Sequence, residues 1–80
     1  MNFMTVKEAA ESLLGYYNQP GGKTPGGFAT QLITAFEKAD PSNRRRLLTG
    51  FPEFTVPLTV LQTSGAGQLS KLVLGGELDA

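Results

Sequence analysis

The chain of 80 residues contains no cysteine and no histidine. The most common general base, the strongest side-chain nucleophile and the two main transition-metal ligands are therefore missing. No disulfide bond can form, so the fold depends on its apolar core or on a partner subunit. We expect a binding protein rather than an enzyme, with no catalytic residue, no cofactor and no metal site.

The chain also lacks an excess of either charge and a long apolar run. Seven basic residues balance seven acidic ones, whereas a domain that binds nucleic-acid phosphates is usually clearly basic. This balance disfavours nucleic-acid binding without excluding it. No apolar run approaches the roughly 20 residues of a membrane span, and the first five residues lack the pattern of a signal peptide. We expect a soluble, cytoplasmic protein with no membrane partner.

The N-terminal part of the chain predicts one amphipathic helix followed by a loop. Thr5 and Glu8 have the spacing of a capping box, in which each side chain accepts a hydrogen bond from the other's backbone N–H. An apolar stripe at helical spacing follows, made of Val6, Ala9, Ala10, Leu13, Leu14 and Tyr17. The helix should end near Asn18, because residues 18–27 hold two prolines and four glycines, which suit neither helix nor strand.

Two further helices are predicted between this glycine-rich loop and residue 51. Thr24 is a suitable cap for the second helix, with Pro25 in its first turn. Asp40 precedes a proline and should end that helix, and it can also cap a third helix that has Pro41 at its first position. Four phenylalanines lie in the periodic stripes and are predicted to be core residues: Phe28, Phe36, Phe51 and Phe54.

The last third of the chain allows more than one structure. Pro57 either lies near the start of a fourth helix or kinks it, and the β-branched residues around it would also suit a strand. A glycine-containing link follows Gln62, and residues 68–74 predict a short helix or an edge strand. Leu69, Leu72 and Val73 should face inward in that segment.

These elements together predict a mainly α, single-domain bundle of about four short helices with a glycine-rich loop. Residues 1–64 should form the compact helical domain. Residues 65–80 should form a flexible link and a C-terminal segment that packs either on the same domain or on a second copy. The second arrangement would give a homodimer, the most common closed assembly.

The candidate partner-binding residues are Arg44, Arg45, Arg46 and Tyr16. The arginine cluster suits a contact with phosphate or with an acidic protein surface. Alternatively, Arg44 lies along the apolar stripe with its head on Asp40, four residues back, and the other two arginines are ordinary solvated charges. Tyr16 lies at the edge of its stripe beside the loop, where it is either an interface residue or a half-buried tyrosine with a hydrated hydroxyl.

Residues 24–52 read TPGGFATQLITAFEKADPSNRRRLLTGFP. This segment resembles small uncharacterised proteins encoded by phages and prophages of actinobacteria. The shared features are a glycine pair before Phe28, a helix ending in Lys-Ala-Asp, then Asn43, Arg46 and a closing Gly-Phe-Pro. The resemblance covers a little over a third of the chain and contains no catalytic motif. It implies a phage-type accessory protein that binds and modulates a host protein without catalysis. The alternative is a nucleic-acid-binding protein that uses Arg44, Arg45 and Arg46, including as a dimer.

Overall fold

The structure of the chain is a computed structural model that describes residues 4–79. It contains five α-helices, and the described residues include no strand. The helices are α1 (Val6–Tyr16), α2 (Gly27–Lys38), α3 (Pro41–Gly50), α4 (Thr55–Ser64) and α5 (Ala66–Leu74), with a 3₁₀ turn over Pro52–Phe54 between α3 and α4. The prediction of a mainly helical domain is confirmed, with one helix more than the expected four. Expectations that concern residues 1–3 and 80 lie outside the described part.

Helix α1 lies at the centre of the fold and contacts α2, α4, α5 and the 3₁₀ turn. Its predicted capping box is present: Thr5 Oγ1 accepts from the Glu8 N–H at 3.0 Å, and Glu8 Oε1 accepts from the Thr5 N–H at 2.9 Å. Four of its apolar side chains are almost fully buried, namely Ala9, Ala10, Leu13 and Leu14. The helix ends at Tyr16, slightly before the expected position, and Asn18 then adopts a positive φ of 56°.

Helix α2 begins later than the sequence suggested. Its N-cap is Gly26, which offers no side-chain cap, so the assignment of Thr24 as cap and Pro25 as first-turn residue is wrong. The loop before it is held on α1, because the Lys23 N–H donates to the Glu11 carbonyl at 3.0 Å. The chain therefore leaves α1 only after Lys23 and enters helical geometry at Gly27.

Phe28 lies at the edge of the buried face of α2 and is not a core residue. The face consists of Ala29, Leu32, Ile33 and Phe36, and Phe28 is the second residue of the helix, about 40° from Leu32 around it. Phe28 is 67% exposed and its ring lies 5.8 Å from that of Phe51. Phe36 and Phe54, in contrast, are fully buried with ring centroids 5.3 Å apart, as expected.

Helix α3 begins as predicted and packs only lightly. Asp40 Oδ1 accepts from the Asn43 N–H at 2.8 Å, and Pro41 occupies the first position. None of the ten residues of α3 is fully buried, although Leu47 and Leu48 pack against the core. The helix contacts the 3₁₀ turn that follows it.

The two alternatives that the sequence left open for the C-terminal part are resolved in favour of helices. Pro57 is the third residue of α4, where its missing N–H would have no intrahelical partner in any case. Gly65, at a φ of 87°, is the only residue between α4 and α5. Helix α5 packs on α1 and α4 of the same chain and buries Leu69 and Val73. Leu72 is only partly buried, whereas Leu74 is 68% exposed.

Candidate functional site

The structure brings two of the four candidate residues to one region, centred on Glu37 of α2. Tyr16, the last residue of α1, hydrogen-bonds Glu37, and Arg44 of α3 lines a cavity that Glu37 also lines. Arg45 and Arg46 do not belong to this cavity and are exposed on α3. The candidate residues therefore form two separate features, a polar cluster at a cavity and an arginine-bearing helix face.

Two neighbouring tyrosines hold the Glu37 carboxylate in place. The Tyr16 hydroxyl donates to Oε1 at 2.9 Å, and the Tyr17 hydroxyl donates to Oε2 at 2.8 Å. The Tyr16 oxygen also lies 3.1 Å from Thr34 Oγ1 on the next turn of α2. The two rings meet edge to face with centroids 4.9 Å apart, a favourable aromatic geometry. Tyr16 is half-buried, and its hydroxyl is hydrogen-bonded to the Glu37 carboxylate.

The pKa values of Tyr17 and Glu37 are both shifted away from neutral pH. Burial raises the pKa of Tyr17 to about 12, and the hydrogen bond to Glu37 adds to this effect. The hydrogen bonds from Tyr17 and Tyr16 hold the pKa of Glu37 below its usual value. The Tyr17 hydroxyl therefore stays protonated and the Glu37 carboxylate stays ionised at pH 7, whereas a general acid or base needs a pKa near the working pH. The cluster is suited to positioning and hydrogen bonding.

The Arg44 side chain reaches the C-terminal turn of α2 and not Asp40. Its Nη2 donates to the Phe36 carbonyl at 2.7 Å, so the expected contact with Asp40 is wrong. Asp40 instead caps α3 through the Asn43 N–H, while the last carbonyls of α2 lack intrahelical partners and attract a cation. Arg44 Nε is buried and has no hydrogen-bond acceptor. A buried donor without an acceptor is rare in folded proteins and costs free energy.

Arg44 lines a cavity of about 110 Å³ between the end of α1, α2, α3 and α4. Four apolar residues contribute to its lining: Ile33, Phe36, Leu58 and Leu61. Four polar residues complete it: Tyr17, Glu37, Arg44 and Gln62. Glu37 and Arg44 carry opposite charges, yet they form no salt bridge with each other.

The exposed face of α3 is the second feature. Arg45 and Arg46 form no salt bridge within residues 4–79, where the ion pairs are Lys7–Asp79 at 3.1 Å and Lys23–Glu11 at 3.2 Å. Phe51 directly follows α3, and the exposed Phe28 ring packs on it. We call the exposed Arg45 and Arg46 of α3 the α3 surface.

A wider groove lies on another side of the molecule. It has a volume of about 540 Å³ and lies between α1, the loop and the first turn of α2. The nearly buried Glu11 carboxylate in its wall is paired with Lys23. No group of three acidic side chains in residues 4–79 is placed to hold a metal ion.

Sequence reasoning missed Glu37 and misplaced Phe28. Nothing in the local pattern marks Glu37, because its partners lie 20 and 21 residues earlier in the chain. The exposure of Phe28 had no local signal, because its spacing of four residues from Leu32 also fits the apolar stripe.

The chain matches no protein-family model, no curated protein and no solved structure. None of the helices within residues 4–79 is long and apolar enough to cross a membrane.

Proposed function

We propose that this domain binds another protein without catalysis, as a phage-type accessory protein that modulates a host protein. The observation that carries the proposal is the exposure of Arg45 and Arg46 on a helix with no fully buried residue, where neither arginine has a salt-bridge partner among the described residues. Arginine is enriched in protein interfaces and makes bidentate contacts with carboxylates. The partner surface is accordingly expected to be acidic.

The aromatic pair beside α3 supports the same proposal. Phe28 is 67% exposed and contacts Phe51, which is only partly buried. An exposed aromatic residue gains free energy when a partner covers it, because apolar area leaves water at roughly 25 cal/mol per Å². Arginine is enriched in energetic hot spots, and phenylalanine is enriched in the cores of protein interfaces. The Phe28–Phe51 pair therefore offers an apolar contact area in addition to the charged α3 surface.

The test compares two charge-reversed variants in affinity capture from an actinobacterial lysate, followed by mass spectrometry. Arg45→Glu with Arg46→Glu should abolish capture of the partner while leaving the melting temperature nearly unchanged, because exposed charges contribute little to stability. Lys38→Glu with Lys71→Glu is the matched control, since it makes the same change in net charge at exposed residues of α2 and α5. Equal capture by all three proteins would contradict the proposal.

Nucleic-acid binding is the second candidate, and the unpaired Arg45 and Arg46 are the observation that favours it. Two observations weigh against nucleic-acid binding: the net charge is zero, and the Arg44 guanidinium already donates a hydrogen bond to the Phe36 carbonyl. A salt series on DNA and RNA binding separates the two functions. Phosphate contacts impose a steep fall of affinity with salt, whereas the proposed protein-binding domain should show no appreciable affinity for either polymer.

A further inference from the structure

We infer that Thr49 is a phosphorylation site and that a phosphate on its hydroxyl weakens partner binding by the α3 surface. The inference rests on the proposed function, because it assigns a regulation to Arg45 and Arg46. Thr49 is exposed and is the second-last residue of α3. It therefore lies on the same lightly packed helix as the surface that we propose to bind a partner.

The position of Thr49 brings a phosphate within reach of both arginines. Arg45 precedes Thr49 by four residues and Arg46 precedes it by three, within one helix. Side chains at these spacings are neighbours on a helix surface, with about 5–6 Å between their Cβ atoms. Thr49 Oγ1 donates to the Arg45 carbonyl at 3.0 Å, which places the hydroxyl on this turn. Neither arginine forms a salt bridge among residues 4–79, so both guanidinium groups are available to a phosphate.

The surroundings of Thr49 differ from those of exposed threonines in α4. Thr59 and Thr63 are exposed as well, and each hydroxyl donates to the carbonyl four residues earlier, at 2.7 Å. Helix α4 contains no charged residue, whereas three arginines lie three to five residues before Thr49. Protein kinases select substrates partly by such charge patterns. A kinase that selects arginine before its acceptor therefore distinguishes Thr49 from the threonines of α4.

Access for a kinase requires local opening of α3, because the Thr49 hydroxyl is hydrogen-bonded within the helix. None of the ten residues of α3 is fully buried, whereas each of the other four helices contains buried residues. Segments with few buried apolar contacts open at a low cost in free energy while the rest of the fold persists. Helix α3 is therefore the helix of this domain whose opening disturbs the core least.

The modification is a phosphoryl transfer from a nucleoside triphosphate. A base of the kinase takes the hydroxyl proton as Thr49 Oγ1 attacks the γ-phosphorus of Mg²⁺-bound ATP. The bond from that phosphorus to the oxygen that bridges it to the β-phosphorus breaks, and ADP leaves. The product carries about −1.5 to −2 charge at pH 7 and three strong acceptor oxygens.

The added charge acts directly on the α3 surface. It offsets the two positive charges of Arg45 and Arg46, and its oxygens accept hydrogen bonds from their guanidinium groups. The C-terminal end of a helix disfavours a negative charge, which makes pairing of the phosphate with these arginines the more important. An acidic partner consequently loses both the electrostatic attraction and the hydrogen-bond donors.

The first test determines which residue a kinase modifies. The full chain is incubated with Mg²⁺, ATP and a purified serine/threonine kinase that requires arginine before its acceptor, and fragmentation mass spectrometry locates the phosphate. We expect phosphate on Thr49 and at least about tenfold less on Thr59 and Thr63. Arg45→Ala with Arg46→Ala should slow modification of Thr49 at least about tenfold. Equal modification of the three threonines, or none at Thr49, would overturn the inference.

The second test measures the contact between phosphate and arginines. The chain is made by total chemical synthesis with a phosphate on Thr49 or, as the matched control, on Thr63. Phosphorus-31 NMR follows the second ionisation of each phosphate, whose pKa is ordinarily about 6. We expect a lower pKa on Thr49 than on Thr63, and a return towards about 6 in Arg45→Ala with Arg46→Ala. Equal pKa values in the two phosphorylated chains would contradict the contact.

Partner capture connects the modification with the proposed function. Phosphate on Thr49 should lower capture from the lysate at least about tenfold, whereas phosphate on Thr63 should leave it unchanged. Undiminished capture by the chain phosphorylated on Thr49 would overturn the inference. The first two tests involve no partner, so a parent chain that captures nothing contradicts the proposed function alone, while those tests still decide whether Thr49 is the site.

Discussion

Gly15→Ala tests how the glycine-rich loop is attached to the central helix. Gly15 is the second-last residue of α1, where alanine is ordinarily about 1 kcal/mol more favourable than glycine. In this fold, a Cβ at Gly15 would overlap the carbonyl oxygen of Lys23 and lie 2.5 Å from its carbonyl carbon. Both are backbone atoms, so the loop itself must move to make room.

The expected magnitude follows from what that movement disturbs. The Lys23 N–H donates to the Glu11 carbonyl at 3.0 Å, and the side chains of these two residues form an ion pair. Inserting a methyl group into a packed contact costs about 1–3 kcal/mol, and a lost hydrogen bond costs about 1 kcal/mol. After subtracting the gain in helix propensity, we expect a net destabilisation of about 1–3 kcal/mol, or a fall of roughly 5–20 °C in melting temperature for a domain of this size.

Thermal and urea unfolding followed by circular dichroism measure this change. Gly67→Ala is the matched control, because Gly67 lies within α5 and a Cβ there meets no atom within 4 Å. The control should be neutral or stabilised by up to about 1 kcal/mol. A Gly15→Ala variant that is as stable as the parent would refute the close packing of the loop on α1 and with it the late start of α2.

The other predictions concern the core, the tyrosine cluster and Arg44. Phe36→Ala should cost about 3–5 kcal/mol in the free energy of unfolding, because this ring is fully buried; a variant that melts within a few degrees of the parent would contradict its position. Stability should fall as pH rises from 10 to 12, because the pKa of Tyr17 is about 12 in the fold and 10 in the unfolded chain. In the Glu37→Gln variant, the pH at which tyrosinate absorbance appears should move back towards 10. Stability should also fall as acid protonates Glu37, because hydrogen bonds from Tyr17 and Tyr16 hold its folded pKa below the ordinary value of 4.5. A flat acid profile that Glu37→Gln leaves unchanged would count against the tyrosine contacts. Arg44→Met should lower the free energy of unfolding by about 1–3 kcal/mol, because it removes the hydrogen bond to the Phe36 carbonyl. Asp40→Asn should lower it by only a few tenths of a kcal/mol, because asparagine also caps a helix. Equal small losses of stability in the two variants would favour a contact between Arg44 and Asp40.

The starts of two helices were predicted correctly from capping residues that lie close together in the sequence. The capping box of Thr5 and Glu8 and the cap of Asp40 before Pro41 act within four residues, and both are present as expected. Thr24 and Pro25 offered a similar local signal, but the contact of Lys23 with Glu11 overrides it. A local pattern therefore predicts a helix boundary only where no tertiary contact competes for the same backbone.

The candidate site depended on contacts that no local pattern contains. Glu37 binds two tyrosines that are about 20 residues earlier in the chain, and Arg44 binds a carbonyl of the preceding helix. The sequence expectation for Arg44 used the nearest acidic residue, whereas in the fold the C-terminal turn of α2 is closer. Tyr16 and Arg44 were predicted as partner-binding candidates, and that prediction stands untested. Their shared neighbour Glu37 is identified only once α1, α2 and α3 are placed.

The helices differ in how much they contribute to the core, and this difference explains how a domain of this size can present a binding surface. Its core is built mainly from α1, α2, α4 and α5, with Phe54 of the 3₁₀ turn. Helix α3 contributes only the partly buried Leu47 and Leu48, so changes on its outer face remove few apolar contacts. Small domains have a thin stability margin, and mutations in their cores therefore abolish folding and function together. Arg45 and Arg46 lie outside that core, so their replacement should alter binding while the fold persists. The proposed function can therefore be measured on α3 without the loss of folding that core mutations cause.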